Sequence, residues 1–80
     1  MISFYHTEQT VEKILKRKNL SSIHRINRYS IGQKELVVNL KKGKRLTMEQ
    51  VKKINHNDYL NLLGTHIEDD QETIRIEVLA

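Results

Sequence analysis

Apolar and polar positions change their period repeatedly along the chain, and the changes divide it into six elements. Val11, Ile14 and Leu15 fall within about 100° of arc on a helical wheel, with Lys13, Lys16 and Arg17 on the opposite side. That stripe predicts a helix over 7–19, with Thr7 as N-cap, Glu8 in the first turn, Lys16, Arg17 and Lys18 in the last, and Glu12 paired with Lys16. Ahead of it, residues 2–5 are apolar and read as a short edge strand or a tucked arm. Residues 23–31 read as extended, but with imperfect alternation. Ile23, Tyr29 and Ile31 share one parity with Arg25 and Asn27, while Ile26 takes the other with His24 and Arg28, so a bulge or bend is expected there. A turn at 32–34 then leads into Leu36, Val38 and Leu40, which alternate properly and complete a β-hairpin.

The clearest signals lie in residues 35–56: a β-branched apolar run, a basic turn at 41–45, and a helix opened by Thr47. Gln50 stands three residues on as its capping-box partner, and Leu46 and Val51 occupy the staple positions. Met48, Val51 and Ile54 share one face of this helix, with Glu49 and Lys53 paired outside, and the cluster at 56–58 ends it. Residues 59–63 fit either a short helix closed by Gly64 or a strand with Leu60 and Leu62 inward. The strand is preferred because the next segment offers a partner. After a turn at 69–71, residues 73–79 alternate cleanly, with Ile74, Ile76 and Val78 on one face. The order is α-β-β-α-β-β. It predicts an α+β fold: one domain over 1–80, a four-stranded, mainly antiparallel sheet, and both helices on one face. No internal repeat, linker or low-complexity segment is legible.

Eighty residues without cysteine change this picture in one respect. A chain of that size buries only about 60% of its unfolded surface, and no disulfide or thiolate metal site supplements its core. Self-association or partner binding then becomes attractive, and the strand at 73–79 is expected at a sheet edge, open to a homodimer or an added strand. No apolar run approaches the ~20 residues of a membrane span, residues 1–4 do not read as a signal peptide, and the cytoplasm is the expected compartment. The absence of proline, cysteine and tryptophan, beside abundant isoleucine, lysine and asparagine, points to AT-rich coding, as in a phage or mobile element.

The net charge of +4 conceals an asymmetry. Residues 1–55 hold 13 Lys/Arg and 4 Asp/Glu, and residues 56–80 hold 1 and 6, giving +9 and −5. Such a division favours an anionic partner for the first part, or contact between the parts. Catalysis is not expected: the serines (Ser3, Ser21, Ser22, Ser30) lie in no nucleophile elbow, and Asp69 and Asp70 are neighbours on a turn. Metal binding is not expected either. His6, His24, His56 and His66 form no close pair, and the alternation of His66, Glu68 and Asp70 reads as a solvated hairpin tip. No cofactor is implied, and no Walker loop, zinc finger or ribonucleoprotein motif is present.

The basic turn carries the most chemistry. Lys41, Lys42, Lys44 and Arg45 flank Gly43 and run into a helix N-terminus, where free N–H groups favour an anion. The competing reading is a solvated turn that keeps a sheet end soluble. Lys13, Lys16, Arg17, Arg25 and Arg28 extend the patch if helix and hairpin share a side. Tyr29 stacks on a base if exposed, but Tyr5, Tyr29 and Tyr59 suit a core equally well. The expected function is non-enzymatic binding of nucleic acid, or of a protein–nucleic acid complex, through this basic surface. The alternative is an inhibitor or adaptor that contacts a host or defence enzyme through Glu68, Asp69, Asp70 and Glu72.

Overall fold

Strands that bury one face must find neighbours for both edges or leave one open, and the distribution of apolar residues decides which. The computed structural model describes residues 3–79. In order these form α1 (Phe4–Leu15), a 3-10 turn (Arg17–Asn19), β1 (Leu20–Arg28), β2 (Gln33–Leu40), α2 (Met48–His56), β3 (Leu60–Glu68) and β4 (Gln71–Val78). The sheet is antiparallel throughout, in the order β1-β2-β4-β3. The fold is therefore the α+β arrangement expected, and residues 59–63 belong mainly to a strand. The segment expected at an edge is instead central: β4 pairs with β2 on one side and β3 on the other. Its alternating Ile74, Ile76 and Val78 are buried, as are Leu36, Val38 and Leu40 on β2. These central rows form the floor of the core, and Val11, Leu15 and Ile54 from the two helices close it from one side. The edges fall to β1 and β3, whose apolar residues are less fully buried, Leu63 and Ile67 on β3 standing exposed.

Two helix ends differ from expectation. Ser3, not Thr7, is the N-cap of α1, its hydroxyl accepting from the His6 N–H at 3.3 Å. Thr7 lies inside the helix, buried, and its hydroxyl donates back to the Phe4 carbonyl at 2.9 Å. Starting one turn earlier lets Phe4 pack on the core, which outweighs an equally plausible cap at Thr7. Phe4 and Tyr5 are thus helical rather than extended, while Ile2 lies outside the described residues. At the other end Lys16 adopts φ 69°, ψ 117°. That conformation stops the helix at Leu15 and sends residues 17–19 into a separate turn, so Lys16, Arg17 and Lys18 are not a last helical turn.

The first hairpin turns at residues 29–32, with Gly32 at φ 66°, and Gln33 and Lys34 already belong to β2. Tyr29 and Ile31 consequently leave the strand and stand 85% and 67% exposed. No bulge is needed at Ile26, which faces the side of the sheet without helices; the irregularity in β1 falls earlier, between Leu20 and Ser22. The second hairpin has the two-residue loop Asp69-Asp70, both with positive φ (51° and 62°), as a type I′ turn requires.

Two αββ units are present although the sequence shows no repeat at sight. β1 and β3 each have nine residues and β2 and β4 eight, and Leu20↔Leu40 in the first hairpin corresponds to Leu60↔Val78 in the second. With an offset of 40, Thr7, Val11, Lys13, Ile14 and Leu20 correspond to Thr47, Val51, Lys53, Ile54 and Leu60. The central β2–β4 pair relates the two units by an approximate twofold.

Thr47 caps α2 as expected. Its hydroxyl accepts from the Gln50 N–H at 3.2 Å, and the Gln50 carboxamide oxygen accepts from the Thr47 N–H at 3.0 Å. Thr47→Ala is expected to cost about 1 kcal/mol, the usual size of a lost cap. A lower urea midpoint with unchanged slope is the readout.

Candidate functional site

Where β1 and β2 begin and end is fixed by their register, and that register assembles the candidate site. Leu20 opposes Leu40, so whatever precedes Leu20 lies beside whatever follows Leu40. The Lys41 N–H donates to the Asn19 carbonyl at 2.8 Å, tying the turn at 16–19 to the loop at 41–46. Both carry lysines: Lys16 and Lys18 on one, Lys41, Lys42 and Lys44 on the other. All five are exposed, and among the described residues none lies in an ion pair.

The acidic hairpin reaches the same end of the sheet and is used to hold it. Asp70 accepts from Arg45 at 2.6 Å through its carboxylate, and its carbonyl accepts from the Gly43 N–H at 2.9 Å. Gly43 follows the chain through φ 81° at this point. Glu72 is buried and accepts from the Leu46 N–H at 2.6 Å. The opposite charges of the two parts of the chain thus meet inside the molecule. They also occupy much of the anion site anticipated at the start of α2, since Glu72 and the capping box already serve the backbone there. Of the acidic set only Glu68 and Asp69 are left facing solvent with no backbone or arginine to hold.

The remaining cations do not form one continuous patch. Lys13 is exposed on α1. Arg17 pairs with Glu12 at 2.6 Å, and Arg25 forks onto Glu8 at 3.0 and 2.7 Å on the helix side of β1. Arg28 lies at the far end of β1, about 26 Å from Leu20 at the usual strand rise, and on the opposite face. Tyr29 and Ile31 share that far end, well away from the lysines. All five arginines of the chain are paired, and the unpaired charge is carried by lysine. Lys18, absent from the sequence-based set, joins the cluster because the turn at 16–19 is tied to Lys41 through the Asn19 carbonyl.

The helix-free face of the sheet has its own centre. Glu35 is 1% exposed, yet it sits on this face, opposite Ile26 on β1 and Glu77 on β4. Arg75 donates to it at 2.9 and 3.3 Å and Arg28 at 3.3 Å. Hydrogen bonds from Arg75 chiefly, then from Arg28, hold its carboxyl below the usual carboxylate range, against the opposing effect of burial. The cover is two half-exposed guanidinium groups rather than depth of protein, so hydrogen bonding prevails over desolvation.

Among the described residues no three histidine or acidic side chains are placed to hold a metal, and no helix is long and apolar enough to cross a membrane. Comparison with family models, curated proteins and solved structures gives no match.

The depressed carboxyl of Glu35 makes a signed prediction. Its contribution to stability is complete above the unfolded carboxylate value, near 4.5, and is lost as pH falls below that through the folded value. Glu35→Gln is expected to lower the urea midpoint at pH 7 and to flatten its decline between about pH 5 and pH 3. Equal declines in the two proteins would mean that other carboxylates govern the acid limb.

Proposed function

We propose that the protein is a non-enzymatic nucleic-acid-binding module that engages the phosphate backbone through Lys16, Lys18, Lys41, Lys42 and Lys44. The observation that carries this reading is the convergence of two separate loops on one end of the sheet, with every lysine unpaired. Lysine is a hydrated point charge on a flexible stem, suited to following phosphates rather than to reading base edges. The arginines, which supply the commonest base contacts, are committed to carboxylates. Binding is therefore indifferent to sequence.

The conformation of Lys16 adds support of another kind. A non-glycine residue at positive φ costs of order 1–3 kcal/mol and persists where the surroundings or a function demand it. Here it turns the chain so that the lysines of 16–18 face those of 41–44. Lys16→Gly is expected to raise the urea midpoint while weakening nucleic-acid binding, a trade of stability against charge. Loss of both would mean that the lysine stem contributes to packing.

The direct test is an anisotropy titration of duplex and single strands across a salt series. Affinity should fall with salt by about 0.9 log units per log unit for each phosphate contacted on a duplex. Lys42→Glu with Lys44→Glu is expected to reduce affinity about tenfold or more for every sequence alike and to flatten the slope. No binding by the wild-type protein at low salt would overturn the reading.

A further inference from the structure

We propose that the lysine end takes the paired backbones of a duplex and discriminates against single strands. The inference rests on the nucleic-acid reading above and names the form of nucleic acid that this site accepts. Single-strand sites combine a cationic groove with aromatic rings on which successive bases stack. Each stacked base is worth roughly fivefold to a hundredfold in affinity. Here the two parts of such a site stand at opposite ends of the sheet.

The one phenylalanine and three tyrosines of the chain, which has no tryptophan, all lie away from the lysines. Tyr29 is in the β1–β2 turn and 85% exposed. Tyr59 precedes β3, and its carbonyl accepts from the Leu79 N–H at 2.8 Å, one step beyond the Lys34↔Val78 pair. Lys34 lies over the Phe4 ring, its Nζ 5.7 Å from the centroid, and Tyr5 follows in the first turn of α1. The lysine loops flank Leu20 and Leu40, about 26 Å from this end at the usual strand rise. The two arginines beside them, Arg17 and Arg45, are held by Glu12 and Asp70 at 2.6 Å each, so neither guanidinium is free to lie on a base. The His66 imidazole, on the outer strand β3, is turned toward Glu68 at 3.6 Å.

A single strand cannot readily join the two ends. On the helix-free face it would cross Glu35 and Glu77 of the central strands and Glu68 of β3. Those three carboxylates outnumber the guanidinium groups of Arg28 and Arg75, and both arginines are already held by Glu35. The helices cover the other face.

What the lysine end does offer is concentrated charge. Among the described residues, its five unpaired lysines oppose three carboxylates that no lysine or arginine holds, Glu68, Asp69 and Glu72. Two positive charges remain in excess. A duplex presents one phosphate charge per about 1.7 Å of axis, and one strand of it only one per about 3.4 Å. The paired form therefore brings about twice as many phosphates within reach of so small a cluster. With no ring at hand to repay a single strand for unstacked bases, that density decides the preference.

The test is anisotropy at low salt with one mixed-sequence duplex, made as DNA and as RNA, and a thymidine-only strand of equal length that cannot fold back. At least one duplex is expected to bind about fivefold or more tightly than the strand, with the steeper salt slope. Tyr29→Ala with Tyr59→Ala is expected to leave every affinity unchanged, and Tyr29→Ala alone serves if the double variant fails to fold. A smaller gap, or strand binding that falls in the tyrosine variant, would overturn the duplex preference and leave the lysine reading intact. No binding of any probe would overturn the lysine reading, and the duplex preference with it.

Discussion

The pairing of β2 with β4 is the constraint on which the rest of the structure depends. It joins two αββ units that are each too small to bury a core. Leu36 opposite Ile76 and Val38 opposite Ile74 form the continuous apolar floor that both helices need. Because the pair is central, the chain leaves only β1 and β3 at the edges, each with a register irregularity. Those are ordinary defences against pairing with further strands. The same register decides which loops are neighbours. The turn before β1, the loop after β2 and the turn before β4 all meet at one end, whereas the β1–β2 turn is at the other.

Electrostatics then divides the cations by type. Arginine holds the architecture: Arg45 ties the β2–α2 loop to the β3–β4 turn, Arg25 ties β1 to α1, and Arg28 of β1 and Arg75 of β4 hold Glu35 of β2 from either side. A rigid fork that satisfies a carboxylate in two places suits such cross-links, although exposed pairs contribute at most about 1 kcal/mol each. Lysine is left for the outside. The −5 balance of the second part of the chain is spent in the same way, Asp70 and Glu72 stabilising the loop that carries Lys41, Lys42 and Lys44. Asp70 and Glu72 are thereby engaged within the molecule, and Glu68 and Asp69 are left at the surface.

Much of the fold was legible because local signals and tertiary packing agree. The alternation at Ile74, Ile76 and Val78, the Thr47–Gln50 capping box and the hairpin turns all specify their elements through neighbours close in sequence. Strand order was not legible: alternation marks a buried face but says nothing about which edges are covered, so β4 looked like an edge. The start of α1 was missed because Ser3 and Thr7 are both competent caps, and only the packing of Phe4 separates them. The repeat was hidden because the two units conserve position and apolar character more than identity. The candidate site was legible in part. Lys16, Lys41, Lys42 and Lys44 come together, but Arg25 and Arg28 go to opposite faces. Lys18 joined the cluster only through the positive φ of Lys16, which no residue pattern announces.

The central claim is that the lysine end of the sheet, and not the aromatic end, is the surface that meets nucleic acid. Amide chemical-shift mapping with a short mixed-sequence oligonucleotide at low salt tests it most directly. The account predicts perturbations led by residues 16–19 and 41–44, with residues 29–32 and Tyr59 unmoved. Perturbations led by Tyr29, Ile31 and Tyr59, with the lysine loops silent, would contradict it.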